Sequence, residues 1–198
     1  MKKILGMILL GMFAYANNDY YEAYKEASQL SDDALSKFVK DENYKTGIKY
    51  ITDNKFFESK KVNKADVETE KGIVKFEEIF IPDYNKALNF FNQSAEKSNN
   101  PISSYIGSYI IQNYTNLQNP EYLKMFVKFS KIMYNQEVKI CQAYLNFGSI
   151  FENGYFEKKD ENKAIEIYEL GLKDDKCKKG WISSVLNSKI LSLKMSKK

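Results

Sequence analysis

Two residue types are missing from this chain of 198 residues: there is no histidine, and all 30 basic residues are lysine, so there is no arginine either. Without imidazole, no side chain serves as general base, proton shuttle or metal ligand near neutral pH. Without guanidinium, no planar fork grips a phosphate or a guanine edge at two points. The positive excess is small, 30 lysines against 26 acidic residues, and it is not gathered into a basic footprint. Composition therefore speaks against a nucleic-acid binder. Cysteine occurs twice and proline three times, and no Pro- or Gly-rich linker divides the chain. No apolar run reaches the roughly 20 residues needed to cross a bilayer.

What is present begins with a leader pattern. Lys2 and Lys3 precede an apolar run from Ile4 to Phe13, and Ala14-Tyr15-Ala16 supplies a small-x-small cleavage site. These are the three parts of a secretory signal peptide. Residues 1–16 are expected to be removed, leaving 28 lysines against 26 acids in a mature protein that starts near Asn17 and lives in the periplasm or outside the cell.

The mature chain reads as helices throughout. Residues 19–30 and 32–40 form two, with Ser31 as an N-cap, and residues 43–58 form a third with Ile48, Ile51 and Phe56 near one face. The lysine-rich stretch 59–64 reads as a loose connection, and nothing alternates with period two for long enough to build a sheet. Pro82, Pro101 and Pro120 each precede or open a helix.

A repeat organises the rest. Asp83-x-x-Lys86-Ala87, Asn119-x-x-Tyr122-Leu123 and Asp160-x-x-Lys163-Ala164 each set a capping residue before an amphipathic run, at spacings of 36 and 41 residues. Gly107 and Gly148 stand twelve residues before the second and third caps. Periods of this size mark solenoids. At about 100° per residue, positions −5, −1 and +3 from each glycine share a face. They are Ile102, Ile106 and Ile110 in one copy and Ala143, Phe147 and Phe151 in the next, an apolar side. Positions −2, +1 and +5 are Tyr105, Ser108 and Gln112, then Asn146, Ser149 and Asn153, a polar side. A weaker copy lies near Gly72. Residues 178–195 read as a final capping helix with Trp181, Val185 and Ile190 buried and lysines outside. The fold class is all-α, a short solenoid of antiparallel helical hairpins.

The stretch Ala143 to Leu172, AYLNFGSIFENGYFEKKDENKAIEIYELGL, resembles a Sel1-like repeat, a relative of the tetratricopeptide repeat. The resemblance rests on Ala143, Gly148, Gly154, Asp160, Lys163, Ala164 and Tyr168, and again on Asp83, Lys86, Ala87, Ser94, Ala95 and Gly107. Phe156 replaces the usual second turn glycine, Glu157 the following valine, and Gly171-Leu172 the usual paired alanines. The resemblance covers about half of the mature chain and implies a superhelix whose concave side binds a protein or peptide. The chain thus divides into a leader (1–16), an N-terminal helical region (17–64) and a repeat region with its capping helix (65–198).

Cys141 opens one hairpin and Cys177 follows its end, so a disulfide would close it; two unpaired thiols are the alternative. Ser94-Ala95-Glu96-Lys97 and Lys45-Thr46-Gly47 match the S-x-x-K and K-T-G motifs of serine acylation. They come in the wrong order, and K-T-G lies within a helical stretch rather than on a strand. No catalytic residue, cofactor or metal is expected. The leading function is an extracytoplasmic interaction scaffold with a partner groove of Tyr105, Ser108, Gln112, Asn146, Ser149 and Asn153. The alternatives are a β-lactamase-labelled or penicillin-binding protein of the cysteine-rich Sel1 type, and a dedicated immunity or structural partner.

Overall fold

The computed structural model describes residues 20–69 and 72–196; the leader at residues 1–16 lies outside them. The helices are α1 (residues 20–28), α2 (Asp32–Val39), α3 (Glu42–Thr52), α4 (Tyr84–Ser98), α5 (Pro101–Tyr114), α6 (Pro120–Tyr134), α7 (Cys141–Asn153), α8 (Glu161–Lys173) and α9 (Trp181–Met195). Between α3 and α4 come two strands, β1 (Glu58–Thr69) and β2 (Gly72–Ile81). As the sequence predicts, the body is an all-α, solenoid-like stack. Helix α3 packs on α4, α5 on α6 and α7 on α8, each pair leans on the next, and α9 closes the C-terminal end.

Helix starts at Ser31, Asp83, Asn119 and Asp160 follow the caps expected from sequence, and Asp41 and Asn100 add two more. The side chains of Ser31, Asp41, Asp83, Asn100, Asn119 and Asp160 each accept a hydrogen bond from a first-turn amide, which satisfies donors the helix itself leaves open. Pro101 and Pro120 open their helices. Helix α7 has no side-chain cap, but its first residue is tethered by the Cys141–Cys177 disulfide, whose Cα atoms lie 5.4 Å apart. Closing a loop of 36 residues in sequence is worth about 3–4 kcal/mol in the chain-entropy account. Gly154 ends α7 in left-handed backbone at φ 71°. Phe156 is left-handed too, at φ 52°. This is the position where the resemblance expects a second glycine, so the departure in sequence is met by strained backbone rather than by a different turn.

The β hairpin is a correction. Strands were not expected, residues 59–64 were read as a loose connection, and Gly72 was read as marking a weak repeat. In fact β1 and β2 pair antiparallel from Glu58↔Ile81 to Thr69↔Gly72, with a register break between Lys61 and Ala65. The sequence GIVKFEEIFI of β2 is rich in strand-favouring residues, yet its central glutamates break the alternation. Half of β1 is lysine or acid. It is the pairing that makes this segment a ribbon, not a pattern within either strand.

The ribbon is an insertion into a hairpin of the stack. Asn119 and Asp160 follow Gly107 and Gly148 by 12 residues, whereas Asp83 follows Gly47 by 36. The difference of 24 is the length of Glu58–Ile81. Gly47 occupies in α3 the place that Gly107 and Gly148 occupy in α5 and α7. A Cβ on Gly47 would stand 2.7 Å from the ring of Phe91 on α4. One on Gly107 would collide with Phe129 of α6, and one on Gly148 with Tyr168 of α8. Three helix pairs therefore share one device, an aromatic ring laid on a bare stretch of backbone. The sequence boundary at 64/65 falls inside β1, and α3 belongs to the first hairpin rather than to a separate region.

The apolar side also packs as the rotation argument requires. Ile102, Ile106, Ile110 and Ala143 are fully buried and Phe151 is nearly so. Phe147 is half-buried and stacks on Tyr134 with ring centroids 4.1 Å apart. A buried polar knot fastens the N-terminal helices to this core. Asn100 donates to the Phe38 carbonyl and to Ser94 Oγ, both at 3.0 Å, and Ser103 Oγ donates to Ser94 at 2.8 Å. Ser98 Oγ donates to Asp41 Oδ2 at 2.7 Å.

Two outcomes test this architecture. Excising Glu58–Ile81 so that Phe57 joins Pro82 should restore the shorter turn and change unfolding free energy by less than about 1 kcal/mol; a loss of several kcal/mol would show that the ribbon supports the stack. Gly107→Ala should lower stability in urea titrations by about 1–3 kcal/mol through overpacking, although alanine is the better helix former by about 1 kcal/mol. Adding Phe129→Leu should recover part of that loss.

Candidate functional site

The six residues predicted to line a groove lie on one side of α5 and α7, but they do not share one fate. Ser108 and Asn146 are buried, which corrects the expectation that this whole face meets solvent. Asn146 Nδ2 donates to Ser108 Oγ at 3.3 Å. Asn146 Oδ1 accepts from Gln142 Nε2 at 2.7 Å and from Gln112 Nε2 at 3.3 Å. The physical reason is that α5 and α7 are neighbours in the stack. Polar residues on the same side of the two helices, offset by about one turn, meet across the junction and satisfy one another away from water.

Ser149 is half-buried, with its hydroxyl turned back to the Asn146 carbonyl at 2.7 Å. Gln112, one helical turn beyond Ser108, and Asn153, two turns beyond Asn146, remain exposed. Tyr105 is half-buried because α1 lies over it, its ring 5.9 Å from that of Tyr24. The N-terminal helix thus fills the end of the face where a guest was expected. Sequence alone gave no sign of this, since nothing in residues 19–30 announces which surface they cover.

Beside that covered end stands a group of tyrosines. Tyr20 meets Tyr109 at 5.6 Å, Tyr109 meets Tyr114 at 6.2 Å, and Tyr84 stacks on Tyr114 at 4.2 Å between centroids. Tyr114 is 50% exposed and Tyr109 38%. Burial, followed by the neighbouring Tyr114 phenol, pushes the hydroxyls of Tyr84 and Tyr109 above the ordinary tyrosine value, and burial does the same to Tyr105. These phenols stay protonated across the physiological range. They offer ring faces and neutral hydroxyls, which suits binding a partner and not proton abstraction.

The acylation motifs are placed plainly. Ser94 is fully buried and occupied by Asn100 and Ser103, with no open side from which a substrate would reach it. Lys45-Thr46-Gly47 lies within α3. Among the described residues no group of acidic or sulfur side chains is arranged to hold a metal ion, and no helix is long and apolar enough to cross a membrane.

Compared with known proteins, the chain matches no family model, no curated protein and no solved structure.

The division of the face has a measurable consequence. Asn146→Ala should cost about 1–3 kcal/mol by leaving buried partners unsatisfied, whereas Gln112→Ala should stay within about 0.5 kcal/mol. Combining Asn146→Ala with Ser108→Ala should cost less than the two single changes together in a double-mutant cycle.

Proposed function

We propose that the protein is an extracytoplasmic interaction scaffold that holds a protein or peptide partner against the inner face of α5 and α7. The observation that carries this reading is the pair Gln112 and Asn153. They occupy equivalent positions on the two helices and are exposed; Gln112 Nε2 donates to Asn146 Oδ1 at 3.3 Å and Asn153 Nδ2 to the Ser149 carbonyl at 2.9 Å, which orients both amides and leaves their oxygens to a partner. The exposed ring of Tyr109 lies three residues before Gln112 on α5, and Tyr114 extends the aromatic surface from Tyr109 toward Tyr84 on α4. Tyrosine loses little rotamer freedom on binding and offers both apolar area and a hydroxyl, so it makes a good anchor.

Location outside the cytoplasm is supported by the leader pattern in the first sixteen residues and by the Cys141–Cys177 disulfide, a bond that persists in oxidising compartments. The resemblance to Sel1-like repeats, whose concave side binds proteins, supports the same reading. It rests on this chain's own residues, notably Ala143, Gly148, Gly154, Asp160, Lys163, Ala164 and Tyr168.

A photo-crosslinking side chain placed at position 112 or 153 tests the proposal, with position 124 on the outer helix α6 as control. In cells exporting the protein, irradiation should give the same discrete adduct from 112 and 153 and none from 124. Tyr114→Ala should weaken that adduct without changing helicity. An adduct from 124 alone, or none from either inner position, would remove the inner face from consideration.

A further inference from the structure

The C-terminal helix departs from its predicted role as a sealed cap. Trp181 was expected to be buried; it is 65% exposed, Leu191 is 61% and Met195 65%. The inward side of α9 is supplied by Leu186, Ile190 and Leu193. These fit the same frame as the earlier helices. With Asn187 in the glycine position, Ile182, Leu186 and Ile190 match Ile102, Ile106 and Ile110. Ser184 and Leu191 then match Ser104 and Ile111, which are fully buried in α5 on the strip that faces α6. On α9 the corresponding strip is open to solvent among the described residues. It is a helix-accepting face without its helix.

We infer that this face pairs two copies of the chain through antiparallel packing of α9 on α9. At about 100° per residue, Trp181, Ser184, Ser188, Ser192 and Met195 fall within about 80° of arc, with Leu191 at its edge. The stripe is symmetric about Ser188: the serines at 184 and 192 stand four residues to either side, and Trp181 and Met195 seven. A twofold axis through Ser188 therefore sets Trp181 of each copy against Met195 of the other, an aromatic on a thioether. The serines line the centre, where small side chains let the backbones approach.

Charge does not oppose this contact. Lys189 is paired with Glu152 at 2.8 Å and Lys194 with Glu169 at 2.8 Å, so both flanking lysines are neutralised within their own copy. A shallow depression of about 300 Å³, lined by Glu152, Val185, Ser188, Lys189 and Ser192, opens beside the serines. The three large side chains leave on the order of 400 Å² of apolar surface in water, a size that marks interaction sites. Two copies bring twice that area plus the serine strip, near the lower end of specific interfaces. The dimer is accordingly a reversible one.

Introduced cysteines read the arrangement directly, because the two native cysteines are bonded and no other thiol competes among the described residues. Under mild oxidation Ser188→Cys should give a covalent dimer. A mixture of Ser184→Cys and Ser192→Cys should give one more readily than either variant alone. Lys124→Cys, on α6, should give little. Trp181 is the sole tryptophan, so its emission should move to shorter wavelength as protein concentration rises. Leu191→Glu should weaken association in sedimentation runs more than tenfold while leaving helicity unchanged, since that side chain is exposed in the single copy. A chain that stays monomeric with unshifted Trp181 emission at high concentration would overturn the inference. So would Ser188→Cys crosslinking no faster than Lys124→Cys, or a dimer that Leu191→Glu leaves intact.

Discussion

The fold depends on a ring lying flat against backbone. In each of three helix pairs a glycine removes the one carbon that would hold the partner helix away, and Phe91, Phe129 or Tyr168 fills the space. Each glycine weakens its own helix by about 1 kcal/mol relative to alanine. Burying an aromatic of this size against the exposed backbone offsets that by more. Because the contact recurs at the same place in every pair, successive pairs stack in register and each needs only its neighbours. In the last pair the ring is also held at its rim: the Tyr168 hydroxyl donates to Glu152 at 2.6 Å, and Lys189 of α9 binds the same carboxylate. One carboxylate thus joins three helices at the point where the stack would otherwise fray.

The features legible in the sequence were those fixed by local spacing. Asp83, Asn119 and Asp160 announce helix starts because a capping side chain acts on amides two or three residues away. Gly107 and Gly148 announce their partners because each stands twelve residues before the next cap. Gly47 was hidden for the opposite reason. Twenty-four inserted residues lie between it and its cap, and Gly72, eleven residues before Asp83, mimics the spacing to within one residue. Trp181 misled through its type, since a large aromatic beside Ile182 and Leu186 reads as core until its neighbours show that the strip has no cover. Ser108 and Asn146 misled through polarity. A polar residue opposite an apolar face is assigned to solvent, yet here each is the other's solvent substitute.

This last point shapes what the inner face offers. A surface built wholly of solvated polar groups would be soft, with side chains rearranging around any guest. Here the row nearest the helix junction is locked by hydrogen bonds, and the exposed amides of Gln112 and Asn153 are themselves oriented by one bond each, to Asn146 and to the Ser149 carbonyl. Helix α1 narrows the surface further by covering Tyr105. The polar knot at Asn100 ties α2 to the α4–α5 junction by a carbonyl 62 residues distant in sequence. For the proposed partner this leaves a short, preorganised strip, a condition under which little ordering entropy is spent on association.

The position of the disulfide makes its protection local. Its two sulfurs sit at residues 141 and 177, so the covalent closure belongs wholly to the last hairpin. Reducing it would release the start of α7 from the end of α8 and leave every contact among α1 to α6 untouched. In a nearest-neighbour array of this kind, a crosslink guards the unit it closes and reaches the far end of the stack only through the packing between.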